Sequence, residues 1–419
     1  MKRRRSASTS PSAIQKPAGS ETFHEQLRDC FRARWHRDCG VNPVSLRKRS
    51  DIHPITLFLC GDVMTGRGID QVLPHPSSPS LHEPYVQSAL DYVEMAESAN
   101  GRILKPVQFP YVWGHAAEEL TRVSPNARIV NLETSITTSD DYDPKGINYR
   151  MHPANTPCLT AAKIDCCVLA NKHVMDWGRA GLKETLASLQ TAGMKTAGAG
   201  LSLAEAIKPA VIEIGDSARV LVFAACTKDS GIPPDWAATD RESGVALLPG
   251  LSDRTAEWLT ERVRGMKGKD DLAVLSIHWG GNWGYGVPQE QQSFAHKVLD
   301  LGAVDVIHGH SSHHPKGIEV YRDKPILYGC GDFLNDYEGI AGYEEYRSDL
   351  VLMYFVRIDA VTGCLLALEM TPLEIKRFRL HKAEHPDARW LRDMLHREGR
   401  PLGTRVTLGT DNCLALQWR

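Results

Sequence analysis

The chain has 419 residues, 42% of them apolar and 24% charged, which are the proportions of an ordinary globular protein. A formal net charge of −2 and a pI near 6.8 exclude the broad basic surface by which proteins bind nucleic acids. No apolar run reaches the roughly 18 residues that a membrane-spanning helix needs. We therefore expect a globular protein with a small substrate, without a nucleic-acid partner or a membrane span.

Residues 1–50 have the composition of an N-terminal extension. The stretch MKRRRSASTSPSAIQKPAGS is basic and rich in serine, which predicts partial disorder, and ETFHEQLRDCFRARWHRD predicts one short helix. The stretch lacks the apolar core of a secretory signal, and an organelle transit segment is the alternative. The ten cysteines form no CxxC pair and several lie in apolar runs, as free thiols of a reducing compartment do. We predict a cytoplasmic protein.

After residue 51, short apolar runs alternate with longer amphipathic segments, which is typical of an α/β domain. We predict a main domain over residues 51–380, and a C-terminal helix and strand over 381–419 that pack on it. GRAGLKETLASLQTAG and PQEQQSFAHKVLDLG are predicted helices. The predicted strands are ITLFLC (55–60), ARIVNLE (127–133), IDCCVLAN (164–171), RVLVFAAC (219–226), LAVLSIHWG (272–280), AVDVIHGH (303–310), KPILYGCGDF (324–333) and DLVLMYFVRI (349–358).

Polar residues follow nearly every predicted strand at its carboxyl end. Open α/β sheets hold their active sites at that edge, so these side chains should converge. The loop DVIHGHSSHHPKGIEV (305–320) adds to them, because imidazole is a common metal ligand; a row of solvated histidines is the alternative. The convergent set is Asp62, Asn131, Glu133, Asn171, Lys172, His173, Asp176, His278, His308, His310, His313 and His314.

Local spacing supports particular members of this set. Asn131 and Glu133 lie two apart on a strand and share a face, and so do His308 and His310. Carboxylates together with imidazoles suit Mn, Fe, Zn or Ca without choosing among them. Glu133 and His278, each taken alone, are equally compatible with purely structural roles.

Residues His173 and Asp176 lie three apart at the start of a helix, so the carboxylate can orient the imidazole. Trp279, Trp283 and Tyr285 of HWGGNWGYG either fill a loop or form a substrate-binding wall. The nearby Gly-rich CGDVMTGRG lacks the GK[ST] of a nucleotide-binding loop. Its Arg67 is a candidate for holding an anionic group of the substrate.

Six segments of the chain form an ordered set of motifs: GDVMTGRG, NLETSIT, ANKHVMDWGRAGL, SIHWGGNWGY, HGHSSHHPKGIEV and ILYGCGDFLND. They resemble, in the same order, the motifs of the CapA group of capsule or poly-γ-glutamate synthesis accessory proteins. The resemblance covers roughly residues 55 to 375 and implies a calcineurin-like metallophosphatase fold, a four-layer α/β/β/α sandwich with a metal site at the strand ends. It implies Asp62, Glu133, His278 and His310 as metal ligands, Asn131 and His313 near them, and His173 as acid or base.

Two residues depart from the pattern of that family. Lys172 stands where an asparagine is usual, and an ammonium repels a cation that an amide oxygen would bind. Either Asn171 supplies a ligand instead, or the second metal is absent, or Lys172 points elsewhere; we include Asn171 and His313 in the predicted ligand set. Asp332 stands where the family often has asparagine and adds a possible carboxylate.

We predict a metal-dependent hydrolase that acts on a peptide-like, poly-γ-glutamate-like or phosphate ester substrate. Metal-activated water would attack, and His173, oriented by Asp176, would transfer the proton. The first alternative is a metal-dependent peptide epimerase, in which Lys172 is an additional base at an α-carbon. The second is a non-catalytic accessory factor for polyglutamate or capsule synthesis. The oligomeric state is left open.

Overall fold

The computed structural model describes residues 54–215 and 218–418; the predicted N-terminal extension and its helix lie outside the described residues. The strands are β1 Pro54–Val63, β2 Ala127–Leu132, β3 Ser135–Ile136, β4 Arg150–Met151, β5 Cys166–Val168, β6 Lys195–Ala197, β7 Ala199–Gly200, β8 Ala210–Ile214, β9 Ala218–Cys226, β10 Gly244–Val245, β11 Leu272–His278, β12 Val306–His310, β13 Ile318–Tyr321, β14 Lys324–Leu327, β15 Asp332–Leu334, β16 Leu350–Asp359, β17 Leu365–Lys376, β18 Arg379–Lys382, β19 Thr404–Leu408 and β20 Leu414–Trp418.

The helices are 4 to 15 residues long and lie between groups of strands along the chain. None of those in the described ranges is long and apolar enough to cross a membrane. Their bounds are α1 Arg67–Val72, α2 Ala89–Asn100, α3 Gly114–Val123, α4 Pro157–Thr160, α5 Gly178–Thr191, α6 Leu203–Ala206, α7 Asp253–Met266, α8 Gln289–Asp300 and α9 His385–Gly399.

Two mixed sheets form the centre of the molecule. The first has the order β19-β20-β17-β16-β1-β2-β5-β6, with β15 also paired to β1 and β18 to β17. The second has the order β13-β14-β12-β11-β9-β8. The central strands β1, β2, β11 and β12 are parallel to a neighbour and are buried on both faces, which explains why they read as continuous apolar runs.

Side-chain alternation in the second sheet separates its two faces. Leu275 and Ile277 of β11 belong to one core cluster with Phe294 and Val298 of α8 and with residues of α7. The intervening Val274 joins the other cluster, which contains the first sheet. Because alternate residues of a strand point to opposite faces, the sheets pack on each other and α7 and α8 cover the outside. Helices α1, α2, α3 and α5 join the core of the first sheet. The predicted α/β/β/α sandwich is confirmed.

One predicted strand, residues 324–333, is two strands in the structure. Its first part, β14, pairs with β12 and β13 in the second sheet. Its second part, β15, pairs with β1 in the first sheet, where Asp332 is the register partner of Asp62. The chain changes sheets at Gly331, whose φ of +78° favours glycine. The crossing brings Asp332 to the end of β1.

The predicted strand 164–171 is also shorter than expected. Only β5 is regular, and residues 169–177 form an irregular segment that leads into α5. At the C-terminal end, α9 is followed by two antiparallel strands, of which β20 pairs with β17 and β19 forms the edge.

Candidate metal centre and active site

The carboxyl ends of the central strands bring a set of ligand-type side chains together. In the first sheet, Asp62 lies between its register partners Asn131 on β2 and Asp332 on β15. In the second sheet, His278 on β11 is the register partner of His310 on β12. Face-to-face packing of the sheets places the two groups next to each other. We call Asp62, Glu133, His278, His310, His313 and Asp332 the ligand cluster.

Asp62, His278 and His310 form the first half of the ligand cluster. One ligand atom of each lies within 4.8 Å of the others, and all three are buried. The Nδ1 atoms of the two imidazoles are 2.7 Å apart. Burial, and for His278 also the neighbouring His310, lowers the pKa of His278 well below its ordinary value, and burial does the same to His310. Both rings are therefore neutral, the form that binds a cation.

Asp62, His313 and Asp332 form the second half, again with ligand atoms within 4.8 Å of one another. His313 Nδ1 is 2.8 Å from Asp332 Oδ1, while Asp332 Oδ2 accepts a hydrogen bond from Asn335 Nδ2 at 3.0 Å. A carboxylate that holds one ring nitrogen, and so fixes the tautomer and aims the other nitrogen, is typical of metal-binding histidines. Asp332, which the sequence analysis included only as a possible further carboxylate of the site, thus orients His313.

Three buried atoms of the ligand cluster test whether a divalent cation fits there. Asp62 Oδ2, Glu133 Oε1 and His278 Nε2 have no hydrogen-bond partner within the part of the chain that the structure describes. An unsatisfied buried polar group costs about 1–3 kcal/mol, so three in one place call for a common partner. Burial and the Glu133 carboxylate raise the pKa of Asp62 well above its ordinary value, a cost that a bound cation offsets. Carboxylates and neutral imidazoles fit a divalent metal ion.

Asn131 and Asn171 fix the geometry of this cluster. Asn131 Nδ2 donates to Asp62 Oδ1 at 2.8 Å and to Glu133 Oε2 at 3.2 Å. Asn171 Nδ2 donates to Asn131 Oδ1 at 3.0 Å, and Asn171 Oδ1 accepts from the backbone N–H groups of His173 and Val174. Both ends of the Asn171 amide are engaged. The structure therefore gives Asn171 a positioning role in the turn after β5, in place of the predicted ligand role.

Two histidines of the segment over residues 305–320 also lie outside the ligand cluster. His308 Nε2 donates to the Cys60 carbonyl at 2.7 Å, and His308 Nδ1 is 3.1 Å from Ser276 Oγ, so the ring joins the two sheets. His314 stacks on Tyr346, with ring centroids 4.6 Å apart. Sharing a strand face with His310 was thus insufficient to make His308 a ligand candidate.

Lys172 points into the ligand cluster. Its Nζ lies 3.6 Å from Glu133 Oε1, 3.5 Å from His313 Nε2 and 2.7 Å from Asn282 Oδ1. The possibility that Lys172 points elsewhere is therefore excluded.

His173 and Asp176 form a buried pair beside Glu133. His173 Nδ1 is 2.6 Å from Asp176 Oδ2, and His173 Nε2 is 3.9 Å from Glu133 Oε1. Burial, assisted by Lys145, lowers the pKa of His173 well below its ordinary value. Burial raises the pKa of Asp176 to about 7, although the Lys145 ammonium, 2.6 Å from Asp176 Oδ1, opposes this. The Tyr149 ring stacks on the imidazole at 3.8 Å. The imidazole is thus held neutral in one orientation.

A cavity of about 990 Å³ opens above these residues. His173, Lys172 and His313 line it from below, and Trp283 and Tyr343 line it from the side. Trp283 stacks on Tyr343 with ring centroids 3.9 Å apart. The predicted wall residue Trp283 therefore does face the cavity.

Three other predicted substrate contacts have different surroundings. Trp279, which directly follows β11, is 2% exposed and packs on Phe294 of α8 and on Tyr328. Tyr285 is not part of the cavity lining and packs against His314. Neither Trp279 nor Tyr285 is therefore part of the wall that Trp283 forms in this cavity.

Arg67 lines the cavity, but its charge is already paired. Its guanidinium donates to both carboxylate oxygens of Asp336, to Glu83 Oε1 at 2.9 Å and to the Tyr92 hydroxyl. Tyr92 also lies under the guanidinium, 3.9 Å from it to the ring centroid. Arg67 therefore joins α1 to α2 and the neighbouring loops, and its proposed contact with a substrate anion stays a prediction.

Sequence patterns missed several residues of this site. Asn282 anchors Lys172, Lys145 pairs with Asp176, and Tyr149 and Tyr337 share a hydroxyl–hydroxyl hydrogen bond of 2.7 Å beside His173. All four lie in loops without a periodic pattern. Only Asn282 gave a signal, as the polar residue between the glycines and Trp283 in HWGGNWGYG.

Comparison with known proteins agrees with this geometry. Residues 56–337 match the family model described as "Bacterial capsule synthesis protein PGA_cap". The chain belongs to this family. The match covers the ligand cluster, His173 and Asp176, and it ends before β16. The resemblance to the CapA group that the motifs indicated is thereby confirmed.

Individual relatives support the same assignment. The chain is 44% identical over 362 residues to a Mycobacterium tuberculosis protein named "Probable polyglutamine synthesis accessory protein", covering 86% of this chain and 95% of that protein. It is 26% identical over 317 residues to the PGA biosynthesis protein CapA of Bacillus subtilis, covering 75% and 70%. It is 23% identical over 354 residues to the capsule biosynthesis protein CapA of Bacillus anthracis, covering 82% and 72%. The alignment with the mycobacterial protein thus extends over nearly the full length of that protein.

Proposed function

We propose that this PGA_cap protein is a metal-dependent hydrolase that cleaves amide bonds in a peptide-like polymer of glutamate or glutamine. The observation that carries the proposal is the oriented pair His173–Asp176, whose imidazole lines a large cavity beside the buried ligand cluster. A proton-transferring imidazole next to a cation site is the arrangement that metal-assisted hydrolysis requires.

Asp62, His278 and His310 would hold the cation, beside Glu133 and His313. When bound, a divalent ion supplies a Lewis acid that polarises the scissile carbonyl and lowers the pKa of water. Side chains of the protein itself transfer the proton. Asp176 holds Nδ1 of His173, so the neutral Nε2 accepts the proton of the attacking water and returns it to the leaving nitrogen as the C–N bond breaks.

Charge pairing in the cavity favours an amide over a phosphate ester. Recognition of a phosphate dianion usually employs cations with free donors. Arg67 is neutralised by Asp336 and Glu83, and Lys145 by Asp176. The stacked Trp283–Tyr343 pair instead offers an apolar surface to an extended chain. The names of the relatives, which refer to polyglutamine and PGA synthesis, support the same substrate class.

Epimerisation is less well supported than hydrolysis. It needs two proton-transferring groups on opposite sides of an α-carbon. Lys172 is the only other candidate we predicted, and its ammonium is committed to Asn282 and lies near Glu133. A purely accessory role, as the printed name of the mycobacterial relative suggests, would use neither the oriented His173–Asp176 pair nor the cavity beside the ligand cluster.

A reducing, cytoplasmic setting is part of the proposal. The cysteines of the described residues, six of them buried, are free thiols. Free buried thiols are usual where glutathione keeps proteins reduced.

The test is incubation of the manganese-loaded protein with synthetic γ-linked glutamate oligomers and α-linked glutamine oligomers in deuterated, oxygen-18-enriched water, followed by mass spectrometry. Hydrolysis gives shorter oligomers that carry heavy oxygen at the new carboxylate, and His173→Ala abolishes them. Deuterium at the α-carbon of uncut oligomers would favour the epimerase. Unchanged oligomers of both kinds, with metal bound, would overturn the proposal in favour of an accessory role.

A further inference from the structure

The surroundings of Lys172 are those of a bound cation. Four ligand-type atoms lie within hydrogen-bonding or ion-pairing distance of its Nζ: Asn282 Oδ1 at 2.7 Å, the Ser311 carbonyl oxygen at 3.4 Å, His313 Nε2 at 3.5 Å and Glu133 Oε1 at 3.6 Å. An amide oxygen, a backbone carbonyl, an imidazole and a carboxylate are also the groups that bind divalent ions. We propose that the Lys172 ammonium is a built-in replacement for a second metal ion, so that this centre binds a single divalent cation.

Charge balance supports this arrangement. Asp62, Glu133 and Asp332 bury three carboxylates within the ligand cluster. One divalent ion together with one ammonium neutralises three negative charges. A second divalent ion next to Lys172 would leave an excess of buried positive charge, and buried charge is costly unless it is paired.

The backbone holds the ammonium in place. Lys172 belongs to the irregular segment after β5, where Asn171 Oδ1 accepts from two backbone N–H groups that follow, and the Lys145 ammonium donates to the Lys172 carbonyl oxygen. Lys172 itself is 8% exposed. The side chain therefore enters the cluster as a fixed part of the site, whereas a mobile surface lysine would pay rotameric entropy to reach it.

This inference rests on the proposed metal centre and deepens it. The cation of the centre then lies with Asp62, His278 and His310, away from Lys172. The ammonium keeps Glu133 and His313 in position and adds a positive charge at the base of the cavity, where the carbonyl oxygen of a substrate gains negative charge. One metal with one lysine thus replaces the pair of metals in a two-metal site.

The experiment compares metal stoichiometry in the wild type, Lys172→Asn and Lys172→Met. Each protein is loaded with excess Mn²⁺, desalted and measured by elemental analysis and by electron paramagnetic resonance. We expect about one equivalent and the spectrum of an isolated ion for the wild type. Lys172→Asn, which provides an amide oxygen and space, should bind about two equivalents and give the spectrum of a spin-coupled pair. Lys172→Met removes the charge but fills the same volume with an apolar chain, so it should stay at about one.

The outcomes separate this inference from the proposed function. Two equivalents in the wild type, or one equivalent in Lys172→Asn with an isolated-ion spectrum, would overturn the role of Lys172 while the metal centre stands. A wild type that binds no Mn²⁺ or other divalent ion would overturn both. Hydrolysis that fails while the stoichiometry changes as expected would reject the reaction but support the role of Lys172.

Discussion

The ligand cluster and the cavity wall above it are built in different ways. Asp62, His278 and His310 lie on or at the ends of central strands, whose register with buried neighbours fixes their positions. Trp283 and Tyr343 lie in loops and are held by stacking on each other. Substitutions at the strand ends should therefore abolish metal binding and catalysis, whereas substitutions in the wall should alter only the affinity for a substrate.

The largest effect is expected for Asp62→Ala. Asp62 is common to both halves of the ligand cluster, so its loss should abolish metal binding and reduce hydrolysis to background. Elemental analysis after loading and desalting checks this. Asp253→Ala, at an aspartate whose side chain is 77% exposed on α7, is the control and should keep wild-type metal content. Wild-type metal content in Asp62→Ala would rule out the strand-end site.

His173→Gln should lower kcat by about 10²- to 10⁴-fold and leave the metal content unchanged, because the imidazole moves the proton and is not a ligand. Steady-state kinetics combined with elemental analysis measures both quantities. His296→Gln is a matched control, since His296 also pairs with a carboxylate, Glu319 at 2.8 Å, but does not line the cavity. Loss of metal from His173→Gln would contradict its assignment as acid or base.

Asp332→Asn should weaken metal affinity by about 10- to 100-fold without abolishing it. The substitution removes the negative charge that orients His313 but keeps its shape. Isothermal titration with Mn²⁺ gives the affinity. A loss as complete as in Asp62→Ala would mean that Asp332 binds the ion directly.

The smallest effect on function is expected in the wall, where two tryptophans four residues apart make a matched pair. Trp283→Ala should raise KM about two- to tenfold at unchanged kcat, equivalent to roughly 0.5–1.5 kcal/mol of stacking. Trp279→Ala should instead lower the free energy of unfolding by about 3–5 kcal/mol, because Trp279 is buried under α8. Denaturant unfolding and steady-state kinetics distinguish them. If Trp279→Ala and Trp283→Ala raised KM equally, the proposed difference between the strand ends and the cavity wall would be wrong.

Much of this protein's structure could be predicted from the sequence alone, from the pattern of apolar residues and the chemistry of the polar ones. The runs ending in Asp62, His278 and His310 are mostly apolar, which predicted buried central strands whose carboxyl ends converge. The six ordered motifs indicated the CapA group and, through that resemblance, the four-layer fold, and the PGA_cap family match agrees with this assignment. His173 and Asp176 are three residues apart in the sequence, so their contact could be predicted from local spacing.

Tertiary structure alone decided what depends on distant segments. Asp332 reaches Asp62 only because the chain changes sheets at Gly331, and no local pattern marks which sheet a short strand joins. Trp279 and Trp283 look alike in HWGGNWGYG, but one belongs to a face covered by α8 and the other to a loop over the cavity. The role of Lys172 depends on its contacts with Asn282 and His313, which lie more than a hundred residues away in the sequence. No sequence periodicity predicts such contacts, because packing between the layers selects them after the strands have formed.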